Sequence, residues 1–475
     1  MTLKTARGTR ALLALEDEGP DVLFESLAGS TVPLWPDVRS AFWYVMQAHD
    51  FGASPLQAVA SRPSNAWLRL TRALLPSPGD ARNLRRRRRA LFLVSGATTY
   101  DVGGATRNWL VGDFADDLAG DSAIAQWRPL GSSKPAFSPT RSLDPMVTRA
   151  AAYSRLSRRG IDEGQVRRLV GELAVRLDAR ITGSQIDAIA SAAIYTAAMA
   201  PFLVSQFSRV LDRVNPKVVL MEDASYGGWS ALVSLMKSRG ILVAEPQHGW
   251  IGPTHGAYNF GAAMRSPDLL ATLPDELLTF GDYWSDGIRH PARVTAVGKP
   301  HLEHMAHGAL DWSHRPREVL VVSSVTDPDE VMAFTLALRR SLTPDWLIRF
   351  RPHPSERSAV AALYRGMVGV EGIKIDETSD VYRSLARSKG VVGVSSTVLF
   401  EGLAMGCRVF ALENALSQYY VGDVFGPTIR GARDADVVVR GLTGNHVSSG
   451  STSAQMWKPD ARRNFGKWIQ NRLAP

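Results

Sequence analysis

Apolar residues in this chain gather into short unbroken runs, each flanked by polar turns. LFLV at 91–94, VVLM at 218–221, ILVAEP at 241–246, EVLVV at 318–322, WLIRF at 346–350 and GVVGV at 390–394 lack the in–out alternation of a half-exposed strand. Runs of this kind predict strands covered on both faces, as in parallel sheets. ELLTF, RVTAV and VEGIKIDE add shorter strands. Between them, Gly228 to Arg239 and DEVMAFTLALRRSL carry the 3.6-residue period of helices packed on a sheet. Strand, helix, strand in this order predicts a parallel α/β layout.

The same grammar begins at Ala90 and begins again after GALDWSHRPR (308–317), so two Rossmann-like halves with a cleft between them are expected. The expected division is a helical N-terminal extension over 1–89 and an acceptor-binding half over 90–307. A nucleotide-donor half over 308–442 follows, then a flexible segment and closing basic helix over 443–475. In the extension, PLWPDVRSAFWYVM (33–46) brings Trp35, Phe42, Trp43 and Tyr44 close together. It reads as a helix packed on the main body, with an interfacial membrane contact as the alternative. Residues 163–213 form a long helical run split near Thr182-Gly183, and the Ser/Pro-rich stretch 131–145 reads as a surface loop.

Composition narrows the setting. At 475 residues the chain has room for two or three domains. Its one cysteine, Cys407, excludes a disulfide framework and a cysteine-rich metal site, and suits a reducing compartment. No uninterrupted apolar run approaches the roughly eighteen residues of a membrane helix, and the first residues do not have the form of a signal peptide. A cytoplasmic location is expected, peripheral to the inner face of the membrane. The peripheral contact rests on Arg85 to Arg89, consecutive arginines in a chain of net charge +9. Such a block suits anionic headgroups, or a solvated junction between domains. No zinc-ligand spacing, RNA-binding signature or helix-turn-helix pattern accompanies it, so no nucleic-acid partner is expected.

Four polar clusters stand at predicted strand ends, where ligands of parallel sheets collect. Glu222-Asp223 follow VVLM, with Tyr226 just after. Gln247-His248-Gly249 follow VAEP, with His255 seven residues beyond His248. Arg351-Pro352-His353-Pro354 follow LIRF. Ser395-Ser396-Thr397 follow GVVGV at the start of a short helix, whose first amides and neighbouring hydroxyls suit an anion. Glu401, one turn on, is placed for the hydroxyls of a ribose. A glycine loop with Gly103, Gly104 and Arg107 follows the first strand. It is not GxGxxG and is expected to admit the acceptor, together with Gln247.

This set suits transfer from a nucleotide-activated donor to a hydroxyl. His248, Asp223, Glu222 or His255 would take the acceptor proton near neutrality. Arg351, His353, Pro354, Ser395, Ser396, Thr397 and Glu401 would hold the donor and meet the charge growing on its phosphate. No metal or other cofactor is expected; DPD at 327–329 and DAD at 434–436 read as turn and cap residues. Capping and ion pairing are the ordinary alternatives for every one of these side chains.

Assembled, residues 90–440 resemble glycosyltransferases of the GT-B type. RPHP at 351–354 is similar to the HP motif of bacterial sialyltransferases and polysialyltransferases, and SST at 395–397 to their serine motif. In that group the serines contact the phosphate of a CMP donor. Ala224 stands where those families place Gly after the acidic pair. The stretch from Asp223 and Tyr226 to Gln247-His248-Gly249 is similar to CDP-glycerol glycerophosphotransferases, a resemblance that implies His248 as base and His353 as phosphate ligand. VGKPHLE at 297–303 is similar to the domain junction of UDP-GlcNAc 2-epimerases. Capsule Kdo-transferases share QHG, RPHP and SS, without the aromatic segment that follows SS in them. The resemblance implies a glycosyltransferase building a capsule or other cell-surface polysaccharide, with a CMP-activated acidic sugar favoured and a glycan or lipid-linked acceptor. Glycerol-phosphate transfer and UDP-sugar epimerisation or transfer are the alternatives.

Overall fold

A computed structural model describes residues 7–27, 30, 32–51, 79–84, 86–96, 98–118, 120–127, 140–157, 160–177, 180–323, 328–426, 428–444 and 450–474. Arg85, Asp327 and residues 131–139 of the Ser/Pro-rich stretch lie outside them.

The unbroken apolar runs are strands with both faces covered. β1 (Ala90–Ser95) is followed by an antiparallel hairpin, β2 (Thr99–Val102) and β3 (Ala105–Asn108). The first large sheet adds β4 (Ser122–Trp127), β5 (Arg141–Ser142), β6 (Val218–Met221), β7 (Leu242–Pro246), β8 (Glu276–Thr279) and β9 (Arg293–Ala296). All its pairings are parallel, in the order β5-β4-β1-β6-β7-β8-β9. The second sheet holds β10 (Glu318–Val322), β11 (Leu347–Arg351), β12 (Ile373–Ile375), β13 (Gly390–Gly393), β14 (Arg408–Leu412) and β15 (Arg430–Ala432). It too is parallel, in the order β12-β11-β10-β13-β14-β15. Each sheet grows outward one way from its first strand and then the other way, which is the doubly wound Rossmann order. The chain is therefore α/β and GT-B-like, two Rossmann-like domains with helices ahead of them.

That order fixes where ligands sit. A crevice opens outside the carboxyl ends of the strands where the winding reverses. In the first sheet this lies between β1 and β6, and in the second between β10 and β13.

The two carboxyl edges face each other. Trp250, after β7, stacks on Tyr420 of the helix Ala415–Val421 with ring centroids 4.5 Å apart. Tyr419 donates to the Thr254 carbonyl at 2.6 Å, and the hairpin amide of Asp101 reaches Ser379 Oγ at 3.4 Å. The closing helix Ala461–Leu473 returns to the first domain, where Phe465 stacks on Phe114 at 4.0 Å and Trp468 Nε1 donates to Glu276 at 2.7 Å. Gly298 permits this return: its φ is +95°, and a Cβ there would lie 2.5 Å from the Lys458 carbonyl.

The N-terminal helix Trp35–Phe51 packs against the loops after β6 and β7. Its Arg39 is buried and bonds the Glu16 carboxylate at 2.5 Å and the Asn259 carbonyl at 2.6 Å. Glu16 also receives Trp35 Nε1 at 2.9 Å and the Gly261 amide at 2.8 Å. So charged a pair lies inside only because every lone pair has a partner.

One helix adds to the reading of composition. The helix Gly183–Val214 is long and apolar enough, by length and composition, to cross a membrane, with a mean hydropathy of 1.6 over eighteen residues and 33% of that window buried. Scattered polar residues hid it from a search for an uninterrupted run.

Candidate active site at the two switch points

At the first switch point the chain leaves β6 through Glu222 and Asp223. Glu222 is buried beneath the floor, where its Oε2 accepts the Ser95 amide at 2.6 Å and the Thr98 hydroxyl at 3.1 Å. Burial pushes its pKa up to about 7, with the neighbouring Asp223 adding to the rise. Asp223 takes the left-handed conformation, φ +62°, which costs an L-residue about 1 kcal/mol. This turn presents its carboxylate to the cleft, 38% exposed and 3.2 Å from His248 Nε2. Burial opposes charge on that imidazole, but Asp223, Glu222 and Glu245 outweigh it and the pKa of His248 is raised. Its other nitrogen, Nδ1, is buried with no hydrogen-bond partner among the described residues.

Glu245, the last acid of β7, lies under the same site. It accepts the Ser225 amide at 2.8 Å, the Ser225 hydroxyl, and the Tyr258 hydroxyl at 3.0 Å. Burial pushes it up to about 7 as well. His290 accepts the Ala292 amide at Nδ1 (3.0 Å), so its Nε2–H donates to Ser225 Oγ at 2.9 Å. Nothing in the sequence marked His290 or Ser225, but Glu245, an acid inside an apolar strand, was a visible signal.

Several expected residues have structural partners instead. His255 is buried, and burial holds its pKa down to about 3. Its Nδ1 accepts the Ala257 amide at 3.1 Å, so Nε2–H donates to the Tyr226 hydroxyl at 3.2 Å. A neutral ring with both nitrogens engaged positions Tyr226 and is not a base. Gln247 is fully buried, its amide bonding the Gly249 carbonyl and its oxygen the Phe280 amide, both at 2.8 Å. Gly103 and Gly104, φ +55° and +83°, form the two-residue turn of the β2–β3 hairpin, for which positive φ at both positions is the requirement. Arg107 pairs with Asp113 at 2.5 Å and Asp116 at 2.7 Å.

At the second switch point the division continues. Arg351 is buried and holds the loop after β12, bonding Asp376 at 2.7 Å and the Thr378 carbonyl at 2.9 Å. Ser396 caps the helix Thr397–Ala404, accepting the Val398 amide at 3.3 Å. Glu401, expected on a ribose, points away: its Oε1 lies 2.5 Å from Lys299 Nζ and 2.9 Å from the Tyr382 hydroxyl. Lys299 sits among aromatic faces, 4.2 Å from the Trp109 ring centroid and 4.6 Å from that of Phe280. Burial lowers its pKa against the pull of Glu401. The pair joins the two domains.

The side chains that remain are few. Ser395 and Thr397 are half-buried, and their hydroxyls have no protein partner among the described residues. His353 is exposed beside Pro354; its Nδ1 accepts the Ser355 amide at 3.3 Å, leaving an Nε2–H donor. Desolvation lowers the pKa of His353, favouring the neutral ring. Among the described residues no group of His, Cys, Asp and Glu has the form of a metal site.

No family model matches the chain, and no curated protein matches it in sequence. Among solved structures it is similar to the UDP-GlcNAc 2-epimerase of Methanocaldococcus jannaschii, at 10% identity and TM-score 0.44 over 80% of this chain and 98% of that one. It is similar to S. aureus MnaA in its structure with UDP, at 10% identity and TM-score 0.48 over 81% and 97%. A UDP-forming α,α-trehalose-phosphate synthase from Burkholderia vietnamiensis gives 12% identity and TM-score 0.42 over 82% and 98%. The strand orders, not these overlays, establish the fold.

Proposed function

We propose that this chain is a glycosyltransferase that moves a sugar from a nucleotide-activated donor to a hydroxyl of a glycan. The observation that carries the reading is the Asp223–His248 pair at the first switch point, whose histidine keeps one nitrogen without a partner, across the cleft from the open hydroxyls at the second. As the acceptor oxygen bonds the anomeric carbon, the carbon–phosphate oxygen bond breaks and the nucleotide leaves with the electron pair. The acceptor proton passes to Asp223, with His248 sharing the charge through Nε2. Ser395, Thr397 and His353 Nε2–H donate to the departing phosphate.

A CMP-activated acidic sugar rests on the RPHP and SST likeness alone. Peripheral contact with anionic membrane is proposed on the exposure of Arg86, Arg87 and Arg89. Sugar-nucleotide epimerisation is the second reading, favoured by Glu222 and Glu245, two carboxyls held near neutrality as an acid–base couple requires.

Thermal shift with CMP, CDP, UMP, UDP and GDP at matched concentration tests the donor site, since a ligand of the folded state raises its melting temperature. One stabilising nucleotide names the donor class; none at all overturns the reading. Incubation with the matching nucleotide sugar then separates transfer, which releases nucleotide, from epimerisation, which does not.

A further inference from the structure

Aromatic residues from three separate parts of the chain meet beside the Asp223–His248 pair. Tyr44 comes from the N-terminal helix Trp35–Phe51 and is 39% exposed, high for a large ring. Its neighbour Trp43 lies 4.9 Å from it and 4.5 Å from His255, which ties that helix to the site. Tyr226 follows Asp223 and lies 5.7 Å from the His248 ring. Tyr420 comes from the second domain and stacks on Trp250. His255 links them: its ring lies 5.8 Å from Tyr226 and 5.1 Å from Trp250, the partner of Tyr420, so the three tyrosines share one neighbourhood.

The phenols are chemically open. Tyr226 accepts its hydrogen bond from His255 Nε2–H, so its own proton is free to be donated. The hydroxyls of Tyr44 and Tyr420 have no partner among the described residues. Tyrosine offers an apolar face and a polar tip, and here three such groups gather around the rings that flank the Asp223–His248 pair. A pyranose has the complementary surface, a C–H face edged by hydroxyls. An acyl chain would leave the phenols and Asp223 without partners, and a nucleobase has no hydroxyl for the carboxylate to activate.

We propose that Tyr44, Tyr226 and Tyr420 form the acceptor subsite, holding a pyranose ring against their faces with its nucleophilic hydroxyl at Asp223. This deepens the reading given above and rests on it for the role of Asp223. The N-terminal helix then has a part in binding, because it completes the sugar site from outside both Rossmann-like domains.

The test is saturation-transfer NMR on the full chain with methyl glucoside, galactoside, N-acetylglucosaminide and glucuronide. At least one should bind, and Tyr44→Ala and Tyr420→Ala should each weaken it about tenfold or more. Tyr226→Phe, which keeps the ring and the fold, should weaken it several-fold. The nucleotide-induced thermal shift should stay at its wild-type value in all three. If no glycoside binds while a nucleotide still stabilises the protein, the subsite is overturned and the transferase reading stands. If glycosides bind and no nucleotide does, the subsite stands and the donor reading falls. Loss of nucleotide binding in Tyr44→Ala, with glycoside binding intact, overturns the subsite by assigning these rings to the donor base.

Discussion

The carboxyl edges of the two sheets are built from similar strands and carry similar numbers of polar residues, yet they treat those residues differently. On the second sheet Arg351, Ser396 and Glu401 each find protein partners: a loop, a helix amide and a buried lysine. On the first, Asp223 is held in a strained conformation facing the cleft, and His248 keeps a buried nitrogen without a partner among the described residues. Polar groups satisfied by protein stabilise a scaffold; those left open at the cost of strain or desolvation mark a place for something else. The comparison assigns chemistry to the first edge and holding to the second.

The largest effect that could break this contrast is on turnover. Asp223→Asn and His248→Ala should each lower transfer by about 10²–10⁴-fold, the range for losing a general base, with the nucleotide-induced thermal shift unchanged. Lost nucleotide binding in either variant would move the donor to the first edge.

Next comes the interdomain pair. Lys299→Met or Glu401→Gln leaves a buried partner uncompensated and should cost about 3–5 kcal/mol in denaturant unfolding, with the double variant regaining much of it. Glu401→Gln that weakened nucleotide binding and left stability intact would return Glu401 to the ribose role.

Third, pH. The Glu222 carboxyl rises from an ordinary value near 4.5 to about 7 on folding, so the folded state binds more protons between those values. Its contribution is full below about 4.5 and is lost as pH climbs through 7, a loss on the order of 3 kcal/mol. Glu222→Gln keeps an oxygen to accept Ser95 and Thr98, so it should flatten the fall in melting temperature between pH 5 and 8. An unchanged slope would remove Glu222 as its source.

The smallest effect sharpens the second edge. His353→Ala removes one neutral donor and should weaken nucleotide binding about tenfold by calorimetry, the size of a single hydrogen bond to a charged group. Unchanged affinity would leave Ser395 and Thr397 as the phosphate contacts.

Much of the fold was legible because unbroken apolar runs such as LFLV and VVLM leave few options besides buried parallel strands. Both switch points followed, since polar residues stood where those runs ended. Less of the site could be read. TTYDVGGATRN looked like a binding loop, although two adjacent glycines between extended residues are also a hairpin signal. Glu401 was placed by its distance along a helix, but which face that helix turns to the cleft is set by Lys299, a residue 102 positions away. Tyr44 stood out only as one of an aromatic cluster, read as packing or membrane contact, because its neighbours at the cleft come from packing between distant segments and local pattern is silent about those.

The return of the last helix to the first domain has a practical consequence for following motion. Both ends of the described chain, Arg7 and Ala474, belong to segments packed on the same domain, so dyes attached at the two ends would report a fixed distance however the cleft moves. The chain leaves the first domain through 308–317, and beyond the second the helix Gly450–Met456 packs back on the first domain beside Asp282–Ser285. A change in the cleft would instead be followed between one label beside Asp282 and another beside Asp423, where the Tyr283 hydroxyl meets Asp423 at 3.0 Å.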